Sequence, residues 1–198
     1  MKKLVVSPHC DDEALGCSSV LDEKTFVLYL GVNEWHVVSK EERIKELNAV
    51  AKFYGFEYSI CKLPVDNYGF QQVLDTIQVY IDFHRPEEIY LPYASYNQDH
   101  QVTFKAGFTA LRPHDKNFFV KKAFVYEEVH PNLWDENSFK PNYFKEVNIL
   151  KKVDGYKLYA SQVRGHRSPE MVTALARWRG FQSGFRFAEG FEILRWVD

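Results

Sequence analysis

The segment Pro8-His9-Cys10-Asp11-Asp12-Glu13 sets an imidazole among carboxylates directly after a short apolar run. His9 and Asp12 are three residues apart on the turn expected to leave a first strand, so both side chains can converge on one point. Imidazole and carboxylate together suit a borderline metal such as zinc. Asp11 lies between them and points to the side of the same place. There it could touch a water beside the metal without binding the metal, the position a general base needs. Catalytic metal centres usually take three protein ligands and keep one place open. The loop Pro92-Tyr93-Ala94-Ser95-Tyr96-Asn97-Gln98-Asp99-His100 offers His100 as the third, preceded by Asp99 and Asn97. A second reading stands beside this one: Asp11 or Asp12 caps a helix starting at Glu13, and His100 is an ordinary hydrogen-bonded histidine.

Two loops can meet only if the elements before them are neighbours. Lys3–Ser7, Thr25–Gly31, Glu57–Cys61, Glu88–Leu91 and Phe118–Tyr126 read as strands, being short apolar or β-branched runs. Between them lie helical patterns over Glu13–Asp22, Lys40–Tyr54, Phe70–His84 and Gln101–Leu111. Ser39 with Glu42 forms a capping-box signature, and Gly55 follows the last periodic residue. Such alternation predicts a Rossmann-like α/β fold, a mostly parallel sheet of order 3-2-1-4-5 with helices on both faces. In an open sheet of that order the site forms at the carboxyl ends of strands one and four, where strand order reverses. Both candidate loops leave those strands. Beyond Tyr126 the pattern turns irregular around Pro131 and Pro141. A strand at Phe144–Val147, a helix from Asn148 to about Ala160, and a helix opened by Ser168-Pro169-Glu170 and stopped at Gly180 are expected next. Phe185–Val197 closes the chain as a helical turn and a strand, and the whole reads as a small C-terminal lobe within one domain, 1–198.

The 198 residues, 45% hydrophobic and 16% aromatic, hold enough apolar material for one sizeable core. A net charge of -2 excludes the basic footprint of a nucleic-acid binder. Three cysteines (Cys10, Cys17 and Cys61) form neither a disulfide framework nor a C-x-x-C pair, and read as reduced thiols. No apolar run is long enough to span a membrane, and the N-terminal run is too short for a signal peptide. A cytoplasmic location is the expectation; a homo-oligomer is left open.

The motif His9-Cys10-Asp11-Asp12-Glu13, followed by Leu15-Gly16, resembles the His-Pro-Asp-Asp-Glu signature of the LmbE/PIG-L metal-dependent deacetylases. The resemblance continues in family order through Asn97-Gln98-Asp99-His100, Ala110-Leu111-Arg112-Pro113, Tyr159-Ala160-Ser161-Gln162, His166-Arg167-Ser168, Arg179-Gly180 and Ala188-Glu189-Gly190-Phe191. It implies a catalytic Zn2+ (iron or cobalt being alternatives) and hydrolysis of an N-acetyl or other N-acyl group on an amino sugar. By position, His9, Asp12 and His100 would hold the metal and Asp11 would be the general base. Arg43 and Asp66 fall where relatives touch the sugar, although Arg43 also fits a solvated helix face and Asp66 a turn.

The chain departs from the family in two places. Cys10 stands where proline is usual, either as a small tolerated substitution or as a redox or extra-ligand thiol. Asn97 stands where some members carry a histidine that serves the oxyanion; asparagine can donate a hydrogen bond but no proton. His166 is the candidate replacement acid, with a structural histidine at a helix start as the alternative. Arg167 could meet a phosphate or carboxylate of a carrier, and Tyr93, Tyr96 and Trp35 could stack on a sugar face. The implied substrate is an N-acetylated amino sugar, free or nucleotide- or lipid-linked, in a setting such as surface polysaccharide synthesis. The competing readings are an amidase for a thiol conjugate or antibiotic intermediate, and a non-catalytic sugar-binding relative.

Overall fold

The computed structural model describes residues 2–32, 38–114, 116–129 and 139–198; Trp35 and Pro131 lie outside them. In chain order the elements are β1 (Lys3–Ser7), α1 (Asp12–Gly16), β2 (Thr25–Tyr29), α2 (Lys40–Tyr54), β3 (Glu57–Ile60), α3 (Phe70–His84) and β4 (Glu88–Pro92). Then follow α4 (Gln98–Ala110), β5 (Lys122–Tyr126), β6 (Tyr143–Glu146), α5 (Ile149–Lys157), α6 (Pro169–Ser183) and β7 (Ala188–Trp196).

β1 to β5 form the expected parallel core of the sheet. The full order is β3-β2-β1-β4-β5-β7-β6, so the order 3-2-1-4-5 is correct but incomplete. β7 enters antiparallel between β5 and β6. The C-terminal part is therefore no separate lobe: its two strands extend the sheet, and α6 packs on β7.

Side chains of a strand alternate between faces. Leu4 and Val6 of β1 face one way, onto Val73, Leu74, Ile77 and Ile81 of α3 and Ala106 and Ala110 of α4. Val5 faces the other way, into a cluster with Ala14 of α1 and Leu47, Val50, Ala51 and Tyr54 of α2. Strands buried on both faces read as continuous apolar runs, which is why these strands are visible in the sequence.

Several boundaries differ. The first helix stops at Gly16 and is followed by a 3-10 turn at Ser18–Val20. At Gly16 the helix lies directly on the end of β5: a Cβ there would come within 2.3 Å of the Tyr126 ring and 2.6 Å of the Glu127 carbonyl. The fifth strand begins at Lys122, not Phe118. α6 passes through Gly180 and ends at Gly184, with φ 78. Gly180 is small for packing, since a Cβ would sit 2.7 Å from the Phe185 carbonyl oxygen.

Candidate metal centre

β1 and β4 are parallel neighbours, and the chain crosses away from them in opposite directions. Their carboxyl ends thus leave a crevice between them. The turn after β1 carries His9, Asp11 and Asp12; the start of α4, after β4, carries Asp99 and His100. His9, Asp12 and His100 come together there, all buried. His9 Nδ1 lies 3.3 Å from His100 Nε2 and 3.6 Å from Asp12 Oδ2, and His100 Nε2 lies 3.5 Å from that oxygen. Ligand atoms around one tetrahedral zinc stand about 3.3 Å apart, from bond lengths near ~2 Å. The triangle has that size.

Each imidazole is oriented by a carboxylate on its far nitrogen. His9 Nε2 is 3.0 Å from Asp99 Oδ2, and His100 Nδ1 is 2.7 Å from Glu128 Oε1. The His9–Asp99 hydrogen bond turns His9 Nδ1 toward the centre, and His100, with Glu128 beside its Nδ1, faces the same point with Nε2. Asp99 also accepts from the Asp66 amide at 2.7 Å and the Tyr68 amide at 3.4 Å, binding loop 61–69 to the site. Asp12 Oδ2 accepts from the His9 amide at 2.8 Å, which closes the turn.

Electrostatics favour a cation here. Burial, then the charges of Glu128 and Asp11, push the Asp12 carboxyl well above its ordinary range. Asp12 Oδ1 is buried with no hydrogen-bond partner among the described residues. Arg167 offsets only part of this effect, and a buried carboxylate with an open oxygen is one that a divalent ion would satisfy. The donor set therefore fits the metal that the sequence implies.

Asp11 is fully buried and has φ 142, an unfavourable value for a non-glycine residue. Its amide donates to Glu13 Oε2 at 3.2 Å, and its Oδ2 accepts from Arg167 Nη1 at 2.9 Å. Arg167 comes from the 3-10 turn Gly165–Arg167. Burial lowers the Arg167 pKa, but the charges of Asp11, Glu128 and Asp12 hold it above its ordinary value. Beneath the loop, burial pushes the Glu13 carboxyl up to about 7, partly countered by the Tyr159 hydroxyl that donates to it at 2.7 Å.

The other sequence candidates have varied surroundings. Asn97 is the N-cap of α4: its Oδ1 accepts from the Asp99 amide at 2.8 Å and the His100 amide at 3.4 Å. Arg43 is fully buried, against the expectation of a solvated helix face. Its guanidinium donates to the Cys10 carbonyl, to Glu46 Oε2 at 3.3 Å and to Ser161 Oγ at 3.3 Å. It thus props the turn that carries His9, Asp11 and Asp12 from behind. Asp66 is exposed at the rim with φ 68, and Gln98 donates to its carboxylate at 3.3 Å. His166 is exposed on the turn that sends Arg167 inward. Cys10 is buried in the core cluster, and the metal-ligand group does not include it. Tyr93 is half-buried and Tyr96 exposed on the loop before α4.

Sequence reasoning gave Glu128 no role. Its signal is positional: Glu128 is two residues past the end of β5, as His9 is two past the end of β1.

No protein-family model matches the chain, and no curated protein matches it. Solved structures do. The conserved protein TT1542 from Thermus thermophilus is 25% identical, with 100% of this chain and 96% of that one covered and a TM-score of 0.83. GalB, the 4-carboxy-2-hydroxymuconate hydratase from Pseudomonas putida KT2440, is 18% identical over 100% of this chain and 99% of that one, TM-score 0.79. The N,N'-diacetylchitobiose deacetylase from Pyrococcus horikoshii is 18% identical over 98% of this chain and 83% of that one, TM-score 0.72. Deacetylases of teicoplanin biosynthesis are similar as well. At these identities the likeness to the hydratase and the deacetylases is one of fold, and that fold carries more than one reaction. Several of these similar structures are deacetylases, and this chain shares their mixed α/β fold.

Proposed function

We propose that this chain is a metal-dependent hydrolase that removes an N-acetyl or related N-acyl group from an amino sugar or its nucleotide- or lipid-linked conjugate. The observation that carries the proposal is the buried triangle of His9 Nδ1, Asp12 Oδ2 and His100 Nε2, with Asp11 beside it. His9, Asp12 and His100 would hold zinc, or iron or cobalt. When bound there, the metal supplies Lewis-acid chemistry, acidifying water and polarising a carbonyl oxygen. Asp11 takes the proton from the attacking water at Oδ1, the oxygen with no partner among the described residues. Attack gives a tetrahedral oxyanion, and we assign the Asn97 side-chain amide, at the start of α4, as its candidate hydrogen-bond donor. The amine leaves on receiving a proton, from Asp11 or from His166 on the exposed turn. Asp66, exposed beside Gln98, would accept from a sugar hydroxyl. The deacetylases among the similar structures support this choice, and the setting we favour is surface polysaccharide synthesis.

The likeness to a hydratase keeps a second reading in view, because the same base and metal could add water to a carbon–carbon double bond. One experiment separates the two. Zinc-loaded protein is incubated with N-acetyl amino sugars, their nucleotide and lipid conjugates, and an unsaturated dicarboxylate. Release of acetate with an equal amount of free amine supports the hydrolase. Loss of alkene absorbance without acetate supports the hydratase. Binding of the sugars with neither product points to a non-catalytic relative. Among the described residues no helix is long and apolar enough to cross a membrane.

A further inference from the structure

We propose that Arg167 is the positioning residue of Asp11: it occupies one carboxylate oxygen and so decides that the other meets the reacting water. The inference rests on the hydrolase reading for its chemistry, but the pairing itself stands on geometry. Arg167 Nη1 donates to Asp11 Oδ2 at 2.9 Å, across 156 residues of sequence. Asp11 Oδ1, equally buried, has no partner among the described residues. One oxygen is held and one is open. A carboxylate rotates easily about its last torsion, so an unheld Asp11 would offer either oxygen in many orientations. The backbone cannot supply this control alone. At φ 142 Asp11 sits in a strained conformation that the surroundings must impose, and its amide is tied to Glu13.

Arg167 is itself firmly placed. The Tyr156 hydroxyl donates to the Arg167 carbonyl at 2.7 Å and to the Gln162 carbonyl at 2.9 Å. Tyr156 is fully buried with Leu15, Val129 and Val172, in the layer behind α1. Ser168, the next residue, caps α6 by accepting from the Met171 amide. A hydrophobic anchor on α5 and a capped helix thus grip the turn on both sides. The C-terminal part of the chain thereby completes a site whose metal ligands all lie between His9 and His100. This role differs from the one the sequence suggests, a clamp for a substrate anion: Nη1 is already engaged by a carboxylate of the protein.

The test compares wild type, Arg167→Ala and Arg167→Lys, each loaded with zinc, on an N-acetyl sugar that the wild type hydrolyses. We expect Arg167→Ala to lose kcat by about 100-fold, with KM changed by less than about threefold. Lysine should restore only part, because a single ammonium does not reproduce the planar fork. Guanidinium ion added to Arg167→Ala should recover part of kcat. A purely structural arginine would show neither the kcat-only loss nor the rescue. A loss confined to KM would instead establish the anion clamp and overturn the proposal, as would unchanged kcat. Thermal melts give a readout independent of turnover. Arg167→Ala should lower Tm by leaving Asp11 buried and unpaired, and Asp11→Asn in the same chain should recover most of the loss. Strictly additive effects would refute the pairing. Should the wild type hydrolyse no acyl substrate, the hydrolase reading fails, while the melting cycle still decides the pairing.

Discussion

Glu128, two residues past the end of one strand, sets its Oε1 2.7 Å from Nδ1 of His100 on the first turn of the neighbouring helix. Both side chains are buried. With Glu128 beside Nδ1, His100 Nε2 is the nitrogen facing His9 and Asp12, and the proposed metal triangle is expected to depend on a residue outside it. Glu128→Ala should weaken zinc binding by about 10- to 100-fold, as loss of such outer partners does elsewhere. Competition against a chromophoric chelator measures this. Unchanged affinity would mean that the ring is held by packing alone.

Asn97 has two separable contributions. Its Oδ1 caps α4, and the proposed mechanism gives its amide nitrogen to the oxyanion. Asn97→Ala should lower stability by about 0.5–2 kcal/mol through loss of the cap. Asn97→Asp keeps the cap but loses the donor, so it should melt near wild type and lose about 100-fold in kcat. Full turnover in Asn97→Asp would remove the amide from the mechanism and leave Asn97 as a cap only.

Arg43 stands behind the metal-binding turn and touches the Cys10 carbonyl, Glu46 and Ser161. Replacing it with methionine strips a buried carboxylate of its cation, which typically costs about 3–5 kcal/mol. The expected result is a large shift in the denaturant midpoint. A stable Arg43→Met protein with a raised KM would reverse the conclusion and restore Arg43 as a substrate contact.

The first half of the site is legible in the sequence because it is local. His9, Asp11 and Asp12 sit within one turn, and their convergence needs only strand-then-turn geometry. The joining of that turn to His100 follows from the parallel order of β1 and β4, which alternating strands and helices imply. Glu128 is hidden because its partner is distant in sequence and no spacing rule links a carboxylate after β5 to an imidazole on α4. Arg43 misleads for a related reason. Its neighbours Glu41, Glu42 and Lys45 make the helix look solvated, and only the tertiary contact with Cys10 and Ser161 buries it. The place of β7 in the sheet is the clearest miss in the fold, although a strand within Phe185–Val197 is predicted. An antiparallel strand inserted between β5 and β6 depends on long-range pairing that no local pattern in Phe185–Val197 reveals.

The central claim is that a metal held by His9, Asp12 and His100, with Asp11 as base, hydrolyses an amide. The measurement that tests it most directly is acetate release by wild type and Asp11→Asn at equal zinc occupancy, on the best substrate of the sugar panel. The account predicts one acetate per free amine from the wild type. It predicts a fall of about 100- to 10,000-fold in Asp11→Asn, with one zinc still bound per chain. Equal rates in the two proteins, or substrate consumed without acetate, would contradict it.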